Sequence, residues 1–530
     1  MSTHRLTRRD LLASALASGA FQLLPRVAAA AESAEVATGP ALPFSFDALR
    51  ETARRLAREP YVAPQVGDAQ ILEGIDYDLH NQIAYRPDRT LWAGAEGAAK
   101  VRFFHPGRYF KEPVQIYAVS DGMARRIPFA TELFEMPDDH PGRGLTEAGF
   151  AGFRVMDPDE QDDWLALLGA SYFRTSGYAG QFGLSARGLA IDSGGPGPEE
   201  FPRFTRFWLE PAEAGGLVIY ALLESPRATG AYRIASRRGN GVFQDVDARI
   251  FLRGDIERLG IAPLTSMYWF GKNNRFVSPD WRPEVHDSDG LEILLANGER
   301  IWRPLNNPPR PVVNSFAADG LKGFGLAQRE RDFERYQDDG VFYEKRSTLW
   351  VEPQGDWGAG AVTLVELPTG DEIHDNIVAF WVPADPPRAG GAYDLSYRLD
   401  WVRDSPTPPV ARFIATRIGA GGIPGQPRPA NVVKFVCDLD GRGFAGLDRE
   451  SGVEAAVEAG RGRLSGAVAY PVASTDRWRA MFDLDIGPDD GSDEPVDLRM
   501  YVRLHDRALS ETWIYQAFPS QLRALLSAHA

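Results

Sequence analysis

Carboxylates, guanidinium groups and aromatic rings crowd between residues 266 and 381 more densely than elsewhere in the chain. The stretch holds Trp269; Arg282-Pro283-Glu284-Val285-His286-Asp287-Ser288-Asp289-Gly290; Trp302-Arg303-Pro304-Leu305-Asn306-Asn307; Arg329, Arg331, Asp338, Tyr343, Arg346, Trp350 and Glu352; and Glu372-Ile373-His374-Asp375-Asn376. Aromatic faces stack on the C–H faces of a pyranose, while carboxylates, amides and guanidinium groups bond its hydroxyls, so this composition suits a sugar-binding cleft. Breaking a glycosidic bond further requires two carboxyls, one to protonate the leaving oxygen and one to activate water or attack the anomeric carbon. Asp287 and Asp375 are candidates, and pattern alone does not select them from the neighbouring acids.

Other readings of the same residues stand beside this one. The run from His286 to Gly290 also fits a hydrogen-bonded turn before a strand, or a calcium loop. Trp302, Trp350 and Trp381 read more readily as core than as sugar platforms, and Arg329, Arg331 and Arg346 as partners of the surrounding carboxylates. The chain has no GxxxxGK[ST], HExxH or GxSxG pattern and no Rossmann glycine set, so nucleotide and zinc-protease chemistry fall away. Its single cysteine, Cys437, rules out an internal disulfide framework, a multi-thiolate zinc site and an iron–sulfur cluster, and reads as a small buried apolar residue. No metal and no cofactor are expected. With 73 acidic against 58 basic residues the formal charge is −15, and a uniformly acidic chain lacks the basic cluster that phosphate backbones require, which excludes nucleic acid as a partner.

The elements that must position these groups are mainly strands. Ser45 precedes an amphipathic helix over residues 46–57 with apolar positions 49, 53, 56 and 57. From residue 60 onward, short runs rich in Phe, Tyr, Trp, Val and Ile alternate with Gly, Pro, Asn and Asp: 101–104, 114–119, 204–210, 216–223, 232–235, 266–270, 347–352, 362–366, 377–382 and 393–401. Such spacing predicts a large antiparallel sandwich. Further helices are expected at 159–168, 326–336 and 518–529. The proline-rich stretch 403–409 reads as a linker. It separates an N-terminal β-sandwich, residues 32–402, from a strand-rich C-terminal region, 410–530, of about the length of one immunoglobulin-like domain.

Thr7-Arg8-Arg9-Asp10-Leu11-Leu12 opens an apolar stretch too interrupted to span a membrane and ending in Val27-Ala28-Ala29-Ala30-Ala31, which reads as a twin-arginine signal peptide over residues 1–31. Its removal takes away four arginines and one aspartate and shifts the formal charge from −15 to −18.

Several phrases, in order along the chain, resemble the periplasmic osmoregulated glucan biosynthesis proteins G and D. They are Tyr77-Asp78 with Leu91-Trp92, Gly149-Phe150-Ala151-Gly152-Phe153-Arg154, Gly169-Ala170-Ser171-Tyr172-Phe173-Arg174, Gly183-Leu184-Ser185-Ala186-Arg187-Gly188, Glu200-Phe201-Pro202, residues 282–290 and 302–308, Gly323-Phe324-Gly325-Leu326, and Leu349-Trp350-Val351-Glu352-Pro353. The twin-arginine signal is similar to that of the D branch. The resemblance implies a galactose mutarotase-like N-terminal β-sandwich, an immunoglobulin-like C-terminal domain and residence in the periplasm. It also implies control of a β-1,2-linked glucose backbone, as an inverting endo-β-1,2-glucanase with Asp375 as general acid and Asp287 as general base acting through water. Tyr343, Arg346 and Glu372 then match cleft residues, and Trp302 and Arg303 are expected to contact substrate. Other expectations are a glucan-binding factor assisting a membrane synthase without cutting bonds, and a transglycosylase. The implied partners are β-1,2-glucan, the synthase and a second copy of the chain, toward whose cleft the Gly/Pro loop 419–429 would reach. One departure is His374 immediately before Asp375, where the family more often has a plain polar residue.

Overall fold

The computed structural model describes residue 36 and residues 38–423 and 425–527; the signal peptide read at 1–31 lies outside the described residues. The chain is mainly β and divides into two compact units, each assembled from separated stretches. The first comprises residues up to 265 with 351–361 and 380–402; the second comprises 266–350, 362–379 and 403–530. This grouping follows contacts across the fold and not the chain order from which the 403–409 boundary was read.

In the first unit one sheet runs, in neighbour order, through Ala41–Pro43, Met123–Ile127, Gln115–Ser120, Arg203–Pro211, Leu217–Glu224, Ala228–Arg238, Val242–Leu252 and Ala392–Val402. Only the Gln115–Ser120 and Arg203–Pro211 pair is parallel among these neighbours. A second sheet carries Lys100–Phe104, Gly152–Met156, Asp163–Leu168, Tyr172–Thr175, Ser185–Arg187 and Leu259–Ser266. Tyr232 of the first sheet donates from its hydroxyl to the carbonyl of Gly188, beside strands of the second, at 2.8 Å. This is sandwich packing, and a first-sheet strand such as Val242–Leu252 turns alternate residues, Val242, Gln244, Val246, Ala248 and Ile250, inward. The helix Phe46–Leu56 begins where expected: the Ser45 hydroxyl accepts from Ala48 N, and Leu49 and Ala53 pack on Leu222, Ala231 and Phe251.

Two expected helices are not helices. Residues 163–168 form a strand whose Trp164, Leu165, Ala166 and Leu167 are all buried; a continuous apolar run enclosed on both faces looks the same in sequence whether helical or extended. Glu160, at φ +58°, turns the chain into it. Residues 326–336 hold the end of the strand Leu321–Ala327 and one short 3₁₀ turn, Phe333–Arg335. The C-terminal helix is present as Pro519–Ser527.

In the second unit, Gly290–Leu295 pairs with both Arg300–Pro304 and Leu321–Ala327, and Arg300–Pro304 runs parallel to Thr512–Ala517 through Ile301 with Thr512 and Trp302 with Trp513. The sheet continues through Val496–Leu504 to Val453–Ala459. A four-stranded sheet, Ala411–Ala420, Val432–Gly441, Trp478–Asp485 and Arg463–Pro471, closes a core of Phe413, Phe435, Cys437, Phe482, Met500, Trp513 and Tyr515. Cys437 is fully buried there. A short ribbon pairs Tyr268–Phe270 with Val285–His286, the second strand leading directly into Asp287.

Candidate functional site

Two adjacent backbone residues, Met267 and Tyr268, anchor both candidate carboxylates. Asp287 donates its N–H to the carbonyl of Met267 at 2.9 Å, one position beyond the pairing of His286 with Tyr268. The side chain of Asn376 binds both backbone groups of Tyr268: its Oδ1 accepts from Tyr268 N at 2.8 Å and its Nδ2 donates to Tyr268 O at 3.0 Å. Asn376 Nδ2 also donates to Leu367 O at 2.8 Å, closing the loop that carries Asp375. An amide that satisfies three backbone groups fixes this loop more firmly than its irregular backbone could alone. Asp287 and Asp375, some 88 positions apart in the chain, are both buried, at 3% exposure each.

Around Asp287 the other expected residues assemble. Arg346 Nε lies 2.9 Å from Asp287 Oδ1 as an ion pair, and its guanidinium carbon is 5.3 Å from the centre of the Tyr343 ring. Tyr343 donates its hydroxyl to Glu372 Oε2 at 2.5 Å. Burial first, then the negative charges of Asp287 and Glu372, hold the Tyr343 phenol far above its ordinary value, so it remains a proton-bearing donor at any physiological pH. Phe342, just before it, sits in the left-handed region at φ +50°, a strained position for a bulky residue that its surroundings must enforce.

Arg282 ties this group together. Its two terminal nitrogens donate to both oxygens of Glu372, at 2.9 and 3.0 Å, while Asp338 accepts at 2.7 Å and Asp280 accepts from Nε and Nη2 at 3.0 Å each. Bidentate geometry of this kind fixes direction as well as distance. The loops carrying Glu372 and Asp338 are thereby held by one side chain.

Behind Asp287 lies a buried charged layer. Lys272 Nζ donates to Glu284 at 3.0 Å and pairs with Glu330 at 2.9 Å, and His286 Nε2 faces Glu284 at 3.2 Å and Asp289 at 3.7 Å. Among the described residues, Glu284, His286 and Asp289 present ligand atoms within 4.8 Å of one another. Lys272 already supplies the positive charge a metal would bring, and Asp289 accepts from the N–H groups of Arg329 and Glu330, so this donor set reads as an internal salt cluster. Gln328 joins the layer to the site: its Nε2 donates to the Tyr343 carbonyl at 3.1 Å and the Tyr336 hydroxyl at 2.7 Å, and its Oε1 faces His286 Nδ1 at 3.1 Å. A carbonyl can only accept, which fixes the amide orientation.

Trp302 and Arg303 take part in a different set of contacts from the one expected. Trp302 is 4% exposed, lies in the core beside Trp513, and has the Arg329 guanidinium 3.5 Å above its ring. It explains Gly290, because a Cβ there would come within 2.3 Å of the indole. Arg303 is wholly enclosed and spends its charge on Glu366 at 2.8 Å. The phrase's contribution to the site comes from Asn307, whose side chain donates to Trp269 O and Thr369 O and accepts from Thr369 N, pinning the strand exit next to Glu372. Trp350 and Trp381 are core residues at 2% and 1% exposure. Asn376, Asn307, Gln328 and the hub role of Arg282 went unread in sequence; each is a polar residue inside an already dense phrase, and only its buried partners reveal what it does.

Comparison with known proteins places the chain in a family. The profile of the family described as Periplasmic glucan biosynthesis protein, MdoG, matches residues 44–517. Glucans biosynthesis protein D 2 of Ralstonia nicotianae is 48% identical over 533 residues, covering 97% of this chain and 98% of the relative. Glucans biosynthesis protein D of Stenotrophomonas maltophilia is 45% identical over 526 residues, with the same coverage, and that of Xanthomonas oryzae pv. oryzae is 44% identical over 531 residues. Matches of this extent cover both compact units and every candidate site residue. The chain belongs to the periplasmic glucan biosynthesis protein family, and membership implies a periplasmic location.

Proposed function

We propose that the protein is an inverting endo-β-1,2-glucanase that trims the backbone of a periplasmic glucan. The observation that supports this most is the suspension of Asp287 and of Asn376, the residue next to Asp375, from the neighbouring residues Met267 and Tyr268, with both aspartates buried in a setting rich in sugar-binding groups. In this reading the Asp375 carboxyl gives its proton to the glycosidic oxygen as the C–O bond breaks. A water attacks the anomeric carbon from the opposite face and passes its proton, through water, to Asp287. The products are a free hydroxyl on one fragment and a new reducing end of inverted configuration on the other. The Arg346 guanidinium, 2.9 Å from Asp287 Oδ1, holds that carboxyl in position. Glu372 and Tyr343 bind sugar hydroxyls, oriented by Arg282. Export through the twin-arginine route, on Arg8-Arg9 and the alanine box at 28–31, belongs to the same proposal.

The names of the relatives speak of glucan biosynthesis, which favours a second reading: a glucan-binding factor that assists a membrane synthase without cutting bonds. One experiment separates the two. The protein from residue 32 onward is incubated with linear β-1,2-glucan, and product size and anomeric configuration are followed beside Asp375→Asn and Asp287→Asn. The glucanase reading expects short products of inverted configuration, with the rate down by about 10²–10⁴-fold in both variants. Glucan that binds and stays intact in the wild type supports the synthase factor, and lengthened or cyclic products indicate transfer to a sugar hydroxyl.

A further inference from the structure

Trp281 stands out among the described aromatic residues: it is 72% exposed, whereas Trp302, Trp350, Trp381 and Trp513 are all buried. A lone exposed apolar side chain carries little meaning, because more than half of any protein surface is apolar. Here the surroundings carry more. Trp281 lies directly before Arg282, the hub that grips Glu372 and Asp338, and two other exposed apolar residues flank those partners: Ile373, at 50%, follows Glu372, and Val341, at 38%, donates its N–H to Asp338.

The backbone on both sides of Trp281 is held. Asp280 accepts from Arg282 N at 2.8 Å and from Arg282 Nε at 3.0 Å, Asp280 N donates to Ser278 Oγ at 3.1 Å, and Arg275 donates to the carbonyls of Ser278 and Asp280 at 3.2 and 2.8 Å. With Asp280 and Arg282 bonded to each other, the side chain between them is the one left to solvent. Leaving an indole in water forfeits the favourable burial of its apolar face, and ordering its loop costs conformational entropy besides. An exposed ring on a held backbone pays less ordering cost when a ligand lies on it than one on a loose loop, which suits a stacking platform. The charges around it select the ligand: Arg275 and Arg282 face Asp280, Asp338 and Glu372, an acidic surplus that repels phosphates and carboxylates. A neutral sugar meets no such penalty.

We propose that Trp281 is a glucosyl-stacking subsite, on which the chain continues past the Arg282–Glu372 bridge and which gives the protein its preference for long neutral glucans. The inference rests on the glucan reading of the site and extends it to a residue that the reading does not use. Ile373 and Val341 would form the apolar borders of the same path.

The test measures linear β-1,2-glucans of graded length against the wild type, Trp281→Ala and Trp281→Phe. Trp281→Ala is expected to raise KM for long chains about tenfold, with a smaller rise for short ones, and Trp281→Phe to recover most of the loss. Binding is read independently of cleavage in the Asp375→Asn background. Glucan should shift the tryptophan emission there, and Trp281→Phe should remove most of that shift. A wild type that cleaves and binds, with neither KM nor emission altered by Trp281→Ala, overturns the subsite and leaves the glucanase reading intact. A wild type inert toward β-1,2-glucan overturns the glucanase reading; the emission shift is then sought with other neutral glucans, and its absence with all of them overturns the subsite too. Protein-concentration dependence of the emission without glucan would assign the ring to a second copy and also overturn it.

Discussion

Arg282 and Arg329 are built on the same plan and serve opposite ends. Each is an arginine that gathers carboxylates from distant stretches of one unit: Arg282 from Asp338 and Glu372, together with the nearby Asp280, and Arg329 from Glu292 and Glu511. The Arg329 hub is closed. Its side chain is 3% exposed, Glu292 and Glu511 are 4% and 0% exposed, its remaining capacity goes to Phe413 O at 2.6 Å, and Trp302 covers its face. The Arg282 hub is open: Glu372 keeps 34% of its side chain in solvent, accepts from Tyr343, and stands beside exposed Trp281 and Ile373. A buried ion network with every atom committed can only hold structure, whereas an open one retains lone pairs that a ligand can use.

The contrast should show most strongly in stability. Arg329→Leu leaves Glu511 buried without its cation and Glu292 with Arg300 alone, and is expected to lower the unfolding free energy by about 3–5 kcal/mol. Arg282→Leu, which leaves Glu372 with solvent access although Asp280 and Asp338 are largely enclosed, should cost less, about 1–3 kcal/mol, while on the glucanase reading strongly weakening glucan turnover. Denaturant unfolding of both variants checks the pair, and similar losses in the two would erase the distinction between closed and open hubs.

A smaller effect is expected at Tyr343. Tyr343→Phe removes one hydrogen bond to a charged acceptor, so on the proposed glucanase reading kcat/KM on β-1,2-glucan should fall by about one to two orders of magnitude, with unfolding free energy changed by about 1 kcal/mol. A variant with full activity would remove Glu372 orientation from the mechanism.

The weakest signature lies in the acid limb of stability. Hydrogen bonds from Arg282 hold the Asp280 carboxyl below its ordinary 3.8; at Asp338, burial pushes upward but hydrogen bonds from Val341 N, Arg282 and Gly340 N outweigh it. Carboxyls with lowered values in the fold contribute their stability above the unfolded value and lose it as pH falls through the folded one, so this part fades below about pH 3.8. Glu511 and Glu366 run the other way, since burial raises both and acid relieves their cost. Thermal midpoints between pH 2 and 5 should therefore fall less steeply in Arg282→Leu than in the wild type. Parallel curves would show that the open hub contributes nothing to acid stability.

The resemblance carried by local phrases pointed to Asp287, Asp375, Tyr343, Arg346 and Glu372, and the fold does join Asp287 to Arg346 and Tyr343 to Glu372. The enclosure of Trp302 fits the core reading of its indole, and Arg303 is enclosed too, against the expectation that both contact substrate, because a residue's chemistry is visible in sequence and its enclosure is not. Arg303 has the donors to bind a sugar, yet Glu366, 63 positions away, uses its charge inside the protein. Trp281, which no local phrase singles out, is set apart only by its exposure.

By itself, then, the amino-acid order determined the β-rich class, the Ser45-capped helix, the isolated thiol and the family, since period-two alternation, capping and short motifs are properties of neighbouring residues. Which carboxylates share an arginine, which aromatic rings are covered and which are left to solvent were decided by tertiary structure alone. Arg282 and Glu372 lie 90 positions apart, and Arg329 and Glu511 lie 182 apart. Contacts at such separations depend on sheet order and register, and no local pattern encodes either.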